Sequence, residues 1–189
     1  MLRALCCVLF LVLLTSCSKP VFQGADISGG SLGGEFTLSD HTGKTRSLAD
    51  FKDKVVVIFF GYTHCPDVCP TTMIELKNAM QQLGKKADQV QVLFVSVDPE
   101  RDSTQVLSQY VPAFDSRFLG LSGTLAQLAE VAGRYKIIYQ KQISASGDYT
   151  VDHSAGSYLL DKNGKARVMV SYGAGASVFV HDLTLLLNE

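Results

Sequence analysis

The chain has five cysteines, and only Cys65 and Cys69 lie beyond its first seventeen residues. They sit in Cys65-Pro66-Asp67-Val68-Cys69-Pro70, after a strand-like run and before a helix-like one. A helical turn in this loop brings residues four apart to one side, so both sulfurs can converge. Converging sulfurs have two natural ends, a disulfide or a shared metal ion. A helix N-terminus beside them favours thiolate over thiol, the species both chemistries need. Two thiolates alone suit a soft ion, Cu(I) above all, or Zn²⁺. A purely structural disulfide is the simplest alternative. Against it, Tyr62-Thr63-His64 leads into the pair as an exposed active-site loop would. A third ligand would strengthen the metal reading, and four histidines are candidates. His41 falls in a turn and is expected to be solvated. The His64 side chain is expected to point away from the sulfurs. His181 lies in the last helix. His153 lies in a loop, Tyr149-Thr150-Val151-Asp152-His153-Ser154-Ala155-Gly156, ahead of a strand starting at Tyr158.

The elements that must position these residues read as an alternating α/β chain. Residues 35–48 look like a β-hairpin turning at Ser39-Asp40-His41-Thr42-Gly43-Lys44. Residues 55–60, Val-Val-Val-Ile-Phe-Phe, form an unbroken apolar run suited to a strand covered on both faces. Met73, Leu76, Met80 and Leu83 recur at helical spacing over residues 70–83, with Pro70 in the first turn and Gly84 as a stop. Strands follow at 90–97 and 118–121, helices at 103–111 and 124–135, the latter with Thr124 as N-cap, and a further strand at 136–143. A hairpin turns at Asp161-Lys162-Asn163-Gly164, and a helix over 177–187 closes the chain. This order predicts one α/β domain over residues 35–189, a mixed sheet flanked by helices on both faces. The cysteines fall at the carboxyl end of its first long strand, the usual place for function in such sheets. Thioredoxin-like folds also place their cysteines there.

Residues 1–16 read as an export signal. Arg3 is the only charge before Lys19, and the apolar run over residues 4–14 is too short for a membrane span. Leu14-Thr15-Ser16-Cys17 resembles a lipobox, which would make Cys17 the lipidated first residue of a membrane-anchored, exported bacterial lipoprotein. Residues 17–34, rich in Gly and Ser, read as its flexible tether. Losing Arg3 with the leader takes the net charge from −1 to about −2, which is no footprint for nucleic acid. In the periplasm or at the cell exterior, exposed thiols tend to oxidise. A reduced working pair would need a reductant or a metal there.

Three blocks together resemble the Sco/SenC family. They are Phe60-Gly61-Tyr62-Thr63-His64-Cys65-Pro66-Asp67-Val68-Cys69-Pro70, then Val95-Ser96-Val97-Asp98-Pro99-Glu100-Arg101-Asp102, then Val151-Asp152-His153-Ser154 with Tyr158-Leu159. The resemblance covers the chain from about Gly33 onward. It implies a thioredoxin-like fold and a copper metallochaperone rather than an enzyme, serving the CuA site of cytochrome c oxidase. Its partners would be the CuA domain of oxidase subunit II and an upstream periplasmic copper donor. Carried over, Cys65, Cys69 and His153 are the copper ligands, and Asp152 orients the histidine. Oxidation to a Cys65–Cys69 disulfide would abolish copper binding. The alternative is a thiol-disulfide oxidoreductase that keeps the oxidase's copper-site cysteines reduced, with Cys65 and Cys69 as its redox pair. Related redox catalysts usually carry C-x-x-C and a cis-proline facing it. This chain has C-x-x-x-C, and residues 151–157 contain His153 and no proline. That exchange favours metal over a disulfide substrate.

Overall fold

The structure is a computed structural model and describes residues 21–189. The leader and Cys17 lie outside the described residues. In chain order the strands are β1 (Ala25–Asp26), β2 (Thr37–Asp40), β3 (Thr45–Ser47), β4 (Val55–Gly61), β5 (Val90–Ser96), β6 (Leu119–Ser122), β7 (Tyr139–Ile143), β8 (Tyr149–His153), β9 (Ser157–Leu160) and β10 (Ala166–Val170). The helices are α1 (Val68–Leu83), α2 (Thr104–Tyr110), α3 (Leu125–Tyr135) and α4 (Ala176–Leu187). None of the described helices is long and apolar enough to cross a membrane.

Eight strands form one mixed sheet in the order β1-β10-β9-β4-β5-β6-β2-β3. β4, β5 and β6 run parallel, and β9 lies antiparallel to β4. Every residue of β4 and β5 is buried, because helices cover both faces of these central strands. Side-chain alternation divides the core. Phe59 and Phe94 meet edge-on at 6.0 Å on the face that carries Cys69 of α1 and Tyr110 of α2. Phe60 and Tyr158 point to the other face, where both rings pack on Tyr135 of α3. Burying each such ring contributes about 1.5–3 kcal/mol.

The helix ends follow local chemistry. Thr124 caps α3 in a reciprocal capping box with Gln127. α1 begins at Val68, two residues earlier than expected, so Pro70 stands third in the first turn, where an N–H has no helical partner to lose. Gly84 ends it at a positive φ of 57°.

The structure departs from the sequence-based expectation in further places. Residues 23–34 lie on the domain instead of forming a free tether. Gln23 and Gly24 donate their N–H groups to the buried Asp182 carboxylate, both at 2.8 Å. Ala25 and Asp26 then pair with β10, which would otherwise be a sheet edge. His41 is half-buried rather than solvated, its Nδ1 accepting from the Gly120 N–H at 3.0 Å because β2 pairs with β6. His153 is not in a loop. It ends β8, which pairs with β7 in a separate two-stranded sheet, residue 139 opposite 153.

The Asp182 contact yields a test. Asp182→Ala leaves two backbone donors without their acceptor, and should cost about 1–3 kcal/mol in thermal or denaturant unfolding. Amide exchange should accelerate at residues 23–26, while exchange unchanged there would contradict the anchoring role.

Candidate metal centre

Three elements deliver the site. Cys65 comes from the loop after β4, where its N–H donates to the Tyr62 carbonyl at 3.3 Å. Cys69 stands in the first turn of α1, and His153 ends β8. Their ligand atoms lie within 4.8 Å of one another, the one such group of three or more found among the described residues. Cys69 Sγ lies 3.5 Å from His153 Nε2. His64, its side chain 52% exposed, contacts Thr63 Oγ1 through Nδ1, and His181 contacts Asp182; neither joins the cluster.

The Cys69 sulfur is fully enclosed. A Cβ placed on Gly61 would meet it at 2.9 Å, Phe94 at 3.0 Å and Phe59 at 3.1 Å, so only glycine lets the sulfur seat against β4. Burial pushes the Cys69 thiol well above its ordinary pKa, although an N–H of Tyr62 pulls the other way. The helix N-terminus therefore does not make this residue a free thiolate, as the sequence suggested, because desolvation outweighs it. Cys69 therefore stands as a thiol beside the His153 ring.

His153 packs edge-on against Phe59 and Tyr62. Burial holds its pKa below the usual value, so the ring is neutral at neutral pH. The Ser154 carbonyl accepts from Nδ1 at 3.0 Å, which leaves the Nε2 lone pair facing Cys69. Orientation thus comes from Ser154 rather than from Asp152. Successive strand residues face opposite ways, and Asp152 is exposed. It adds only a nearby negative charge.

The block after β5 supplies support that the sequence reading did not assign. Asp102 is fully buried and accepts from Thr63 N–H at 3.1 Å, Thr63 Oγ1 at 2.6 Å and Ser96 Oγ at 2.7 Å. It ties the start of the cysteine loop to the end of β5. Burial raises its pKa, and these donors oppose the rise. Asp98, also fully buried, accepts from the Tyr149 hydroxyl at 2.8 Å and from Arg101 Nε at 2.5 Å. Arg101 donates to the Tyr149 carbonyl at 2.9 Å and lies 3.6 Å above its ring. Lys141 pairs with Glu100 at 2.6 Å. Together these contacts fix the far end of the hairpin that bears His153. The readable signal was the charge density of Asp98, Glu100, Arg101 and Asp102 at the carboxyl end of a central strand.

The centre is accessible on one side, where an open cleft of about 450 Å³ is lined by Cys65, Pro66, Val68, His153 and Ala155 among others. Two sulfurs and one neutral imidazole, with Cys65 half-buried at the rim, fit a soft metal ion. Gly61→Ala should expel the Cys69 sulfur from its seat. The expected results are a loss of about 1–3 kcal/mol in stability and faster reaction of Cys69 with a thiol reagent. Unaltered melting and reactivity would contradict the close-packed seat.

Known proteins share this arrangement of sequence and fold. The SCO1/SenC family profile matches residues 25–188, a span that includes all three cluster residues. The mitochondrial SCO2 homolog of Bos taurus is 42% identical over 134 residues, covering 69% of this chain and 50% of that protein. An SCO2-like protein of Rickettsia prowazekii is 35% identical over 136 residues, covering 71% and 66%. The matched part is thus about half the length of the mammalian relatives. Among solved structures, Bradyrhizobium japonicum ScoI with copper bound superposes with a TM-score of 0.77 at 40% identity, covering 82% of this chain and 99% of that one. Apo Sco1 of Thermus thermophilus gives 0.79 at 40% identity, covering 90% and 99%. With the family profile matched over most of its length, the chain belongs to the SCO1/SenC family.

Proposed function

We propose that this protein is a copper metallochaperone that holds one copper ion through Cys65, Cys69 and His153 and delivers it to the CuA site of cytochrome c oxidase during assembly. The observation that carries the reading is the convergence of two sulfurs and an imidazole lone pair within 4.8 Å, in a family whose members include a ScoI solved with copper bound. Copper here is cargo. Two thiolates and one imidazole suit Cu(I) and accept Cu(II) with an added ligand. Asymmetric burial gives the ligands different tasks. Cys69 is enclosed, whereas Cys65 and His153 are half-buried and line the cleft, where an incoming thiolate can displace Cys65 first. Ligand exchange at Cys65 would load the protein from a periplasmic donor and unload it to the CuA domain of subunit II. A Cys17 lipid anchor would keep this exchange at the membrane surface.

A second reading has one observation behind it. Both cysteines are free thiols close enough to form a disulfide after local adjustment, which suits a thiol-disulfide oxidoreductase acting on the oxidase's copper-site cysteines. In the chaperone reading the same Cys65–Cys69 bond is the off state.

Copper titration of the reduced protein separates the two. His153→Ala should lower copper affinity by roughly a hundredfold or more and abolish the Cu(II)–thiolate absorption, while both thiols keep their reactivity. Copper binding unaltered in this variant would contradict the three-ligand site and leave the redox reading. Acidity supplies an independent check. The Cys69 thiol is held above its ordinary pKa, so metal must displace its proton across the physiological range. His153, held below its ordinary value of 6.5, competes with protons only in more acidic solution. Copper affinity should therefore fall on acidification from pH 8 to 6, by about tenfold per unit for the Cys69 proton alone. A pH-independent affinity would exclude Cys69 as a ligand.

A further inference from the structure

Two buried polar side-chain atoms among the described residues lack a hydrogen-bond partner, Arg101 Nη2 and the Tyr110 hydroxyl. The Arg101 guanidinium lies over the Tyr149 and Tyr62 rings, whose faces can receive its N–H groups. Tyr110 has no such outlet. Its ring ends α2 and packs at 5.6 Å on Phe94 and 5.2 Å on Phe114. Phe94 and the Cys69 sulfur both come within 3.0 Å of the same point above Gly61. The hydroxyl therefore sits on the sheet face that carries Cys69. A buried, unpaired O–H is uncommon and calls for a physical reason.

The reason lies in the change that a metal imposes on sulfur. A thiol is a poor hydrogen-bond acceptor, whereas a thiolate is a strong one. Metal binding displaces the thiol protons and so creates an acceptor where the free protein has none. The geometry points to Tyr110 as the outer hydrogen-bond donor of the metal-loaded centre, its hydroxyl turning to the Cys69 thiolate directly or through one water. Desolvation first, then the charges of Cys69, Cys65 and Asp102, hold the phenol above its ordinary pKa, so it remains a donor. This inference rests on the metal reading of the site. Tyr110 is a positioning and tuning residue, not a ligand. Its hydrogen bond would withdraw electron density from the sulfur and stabilise the metal-bound form over the free thiols.

Tyr110→Phe isolates the hydroxyl, because the ring and its contacts with Phe94 and Phe114 are kept. The free variant should melt no lower than the parent, having lost an unsatisfied group. Loaded with Cu(II), it should show its sulfur-to-copper absorption shifted to longer wavelength, as the sulfur becomes easier to oxidise. Competition for Cu(I) against bicinchoninate should show affinity lowered by roughly tenfold. An absorption band at the parent's wavelength overturns the inference, whatever the variant's stability. Failure of the parent itself to bind copper would instead overturn the function proposed above, so the two failures are distinguishable.

Discussion

The site depends on one enclosed contact, the Cys69 sulfur seated against Gly61, Phe59 and Phe94 with His153 Nε2 3.5 Å away. That sulfur is the fixed point where the central strand, the first helix and the outlying hairpin meet. Position 61 must lack a side chain for the seat to exist. The enclosure has an electrostatic consequence, since burial keeps the Cys69 thiol protonated and the imidazole neutral. The pair is inert toward water yet poised for a soft cation that can displace a proton. Access from the cleft is left to Cys65 and His153, both half-buried, with Cys65 the one sulfur that lines it.

Two fully buried carboxylates hold this arrangement in register. Asp102 secures the cysteine loop through Thr63, and Asp98 secures the β8 hairpin through Tyr149 and Arg101. Buried charges are costly unless their partners are complete, and removing a partner from such a network costs more than the network's net contribution. The loop and the hairpin belong to different sheets, so short-range propensity cannot align them. The Asp98–Asp102 turn does so from the end of β5.

Sequence was most legible where the chemistry is local. The run Val55 to Phe60 announced a doubly covered strand, and Thr124 announced its helix. The cysteine spacing exposed the centre itself. Sequence was least legible where partners lie far along the chain. The Gly-rich stretch before Glu35 has the composition of a linker, yet Asp182, more than 150 residues away, anchors Gln23 and Gly24. The alternation from Tyr149 to His153 spans only five residues, too few to separate a strand from a loop, and it hid the reason that Asp152 faces away from His153. His153 was singled out through family resemblance rather than through its own pattern. Asp98 and Asp102 entered only as members of a family-like block, because nothing local marks a carboxylate as buried.

The central claim is that two sulfurs and one imidazole hold a single copper ion. X-ray absorption at the copper edge of the reduced, Cu(I)-loaded protein tests it most directly. The account predicts one copper per chain with two sulfur scatterers and one imidazole nitrogen in the inner shell. A shell of nitrogen and oxygen alone, or of sulfur without imidazole, would contradict it.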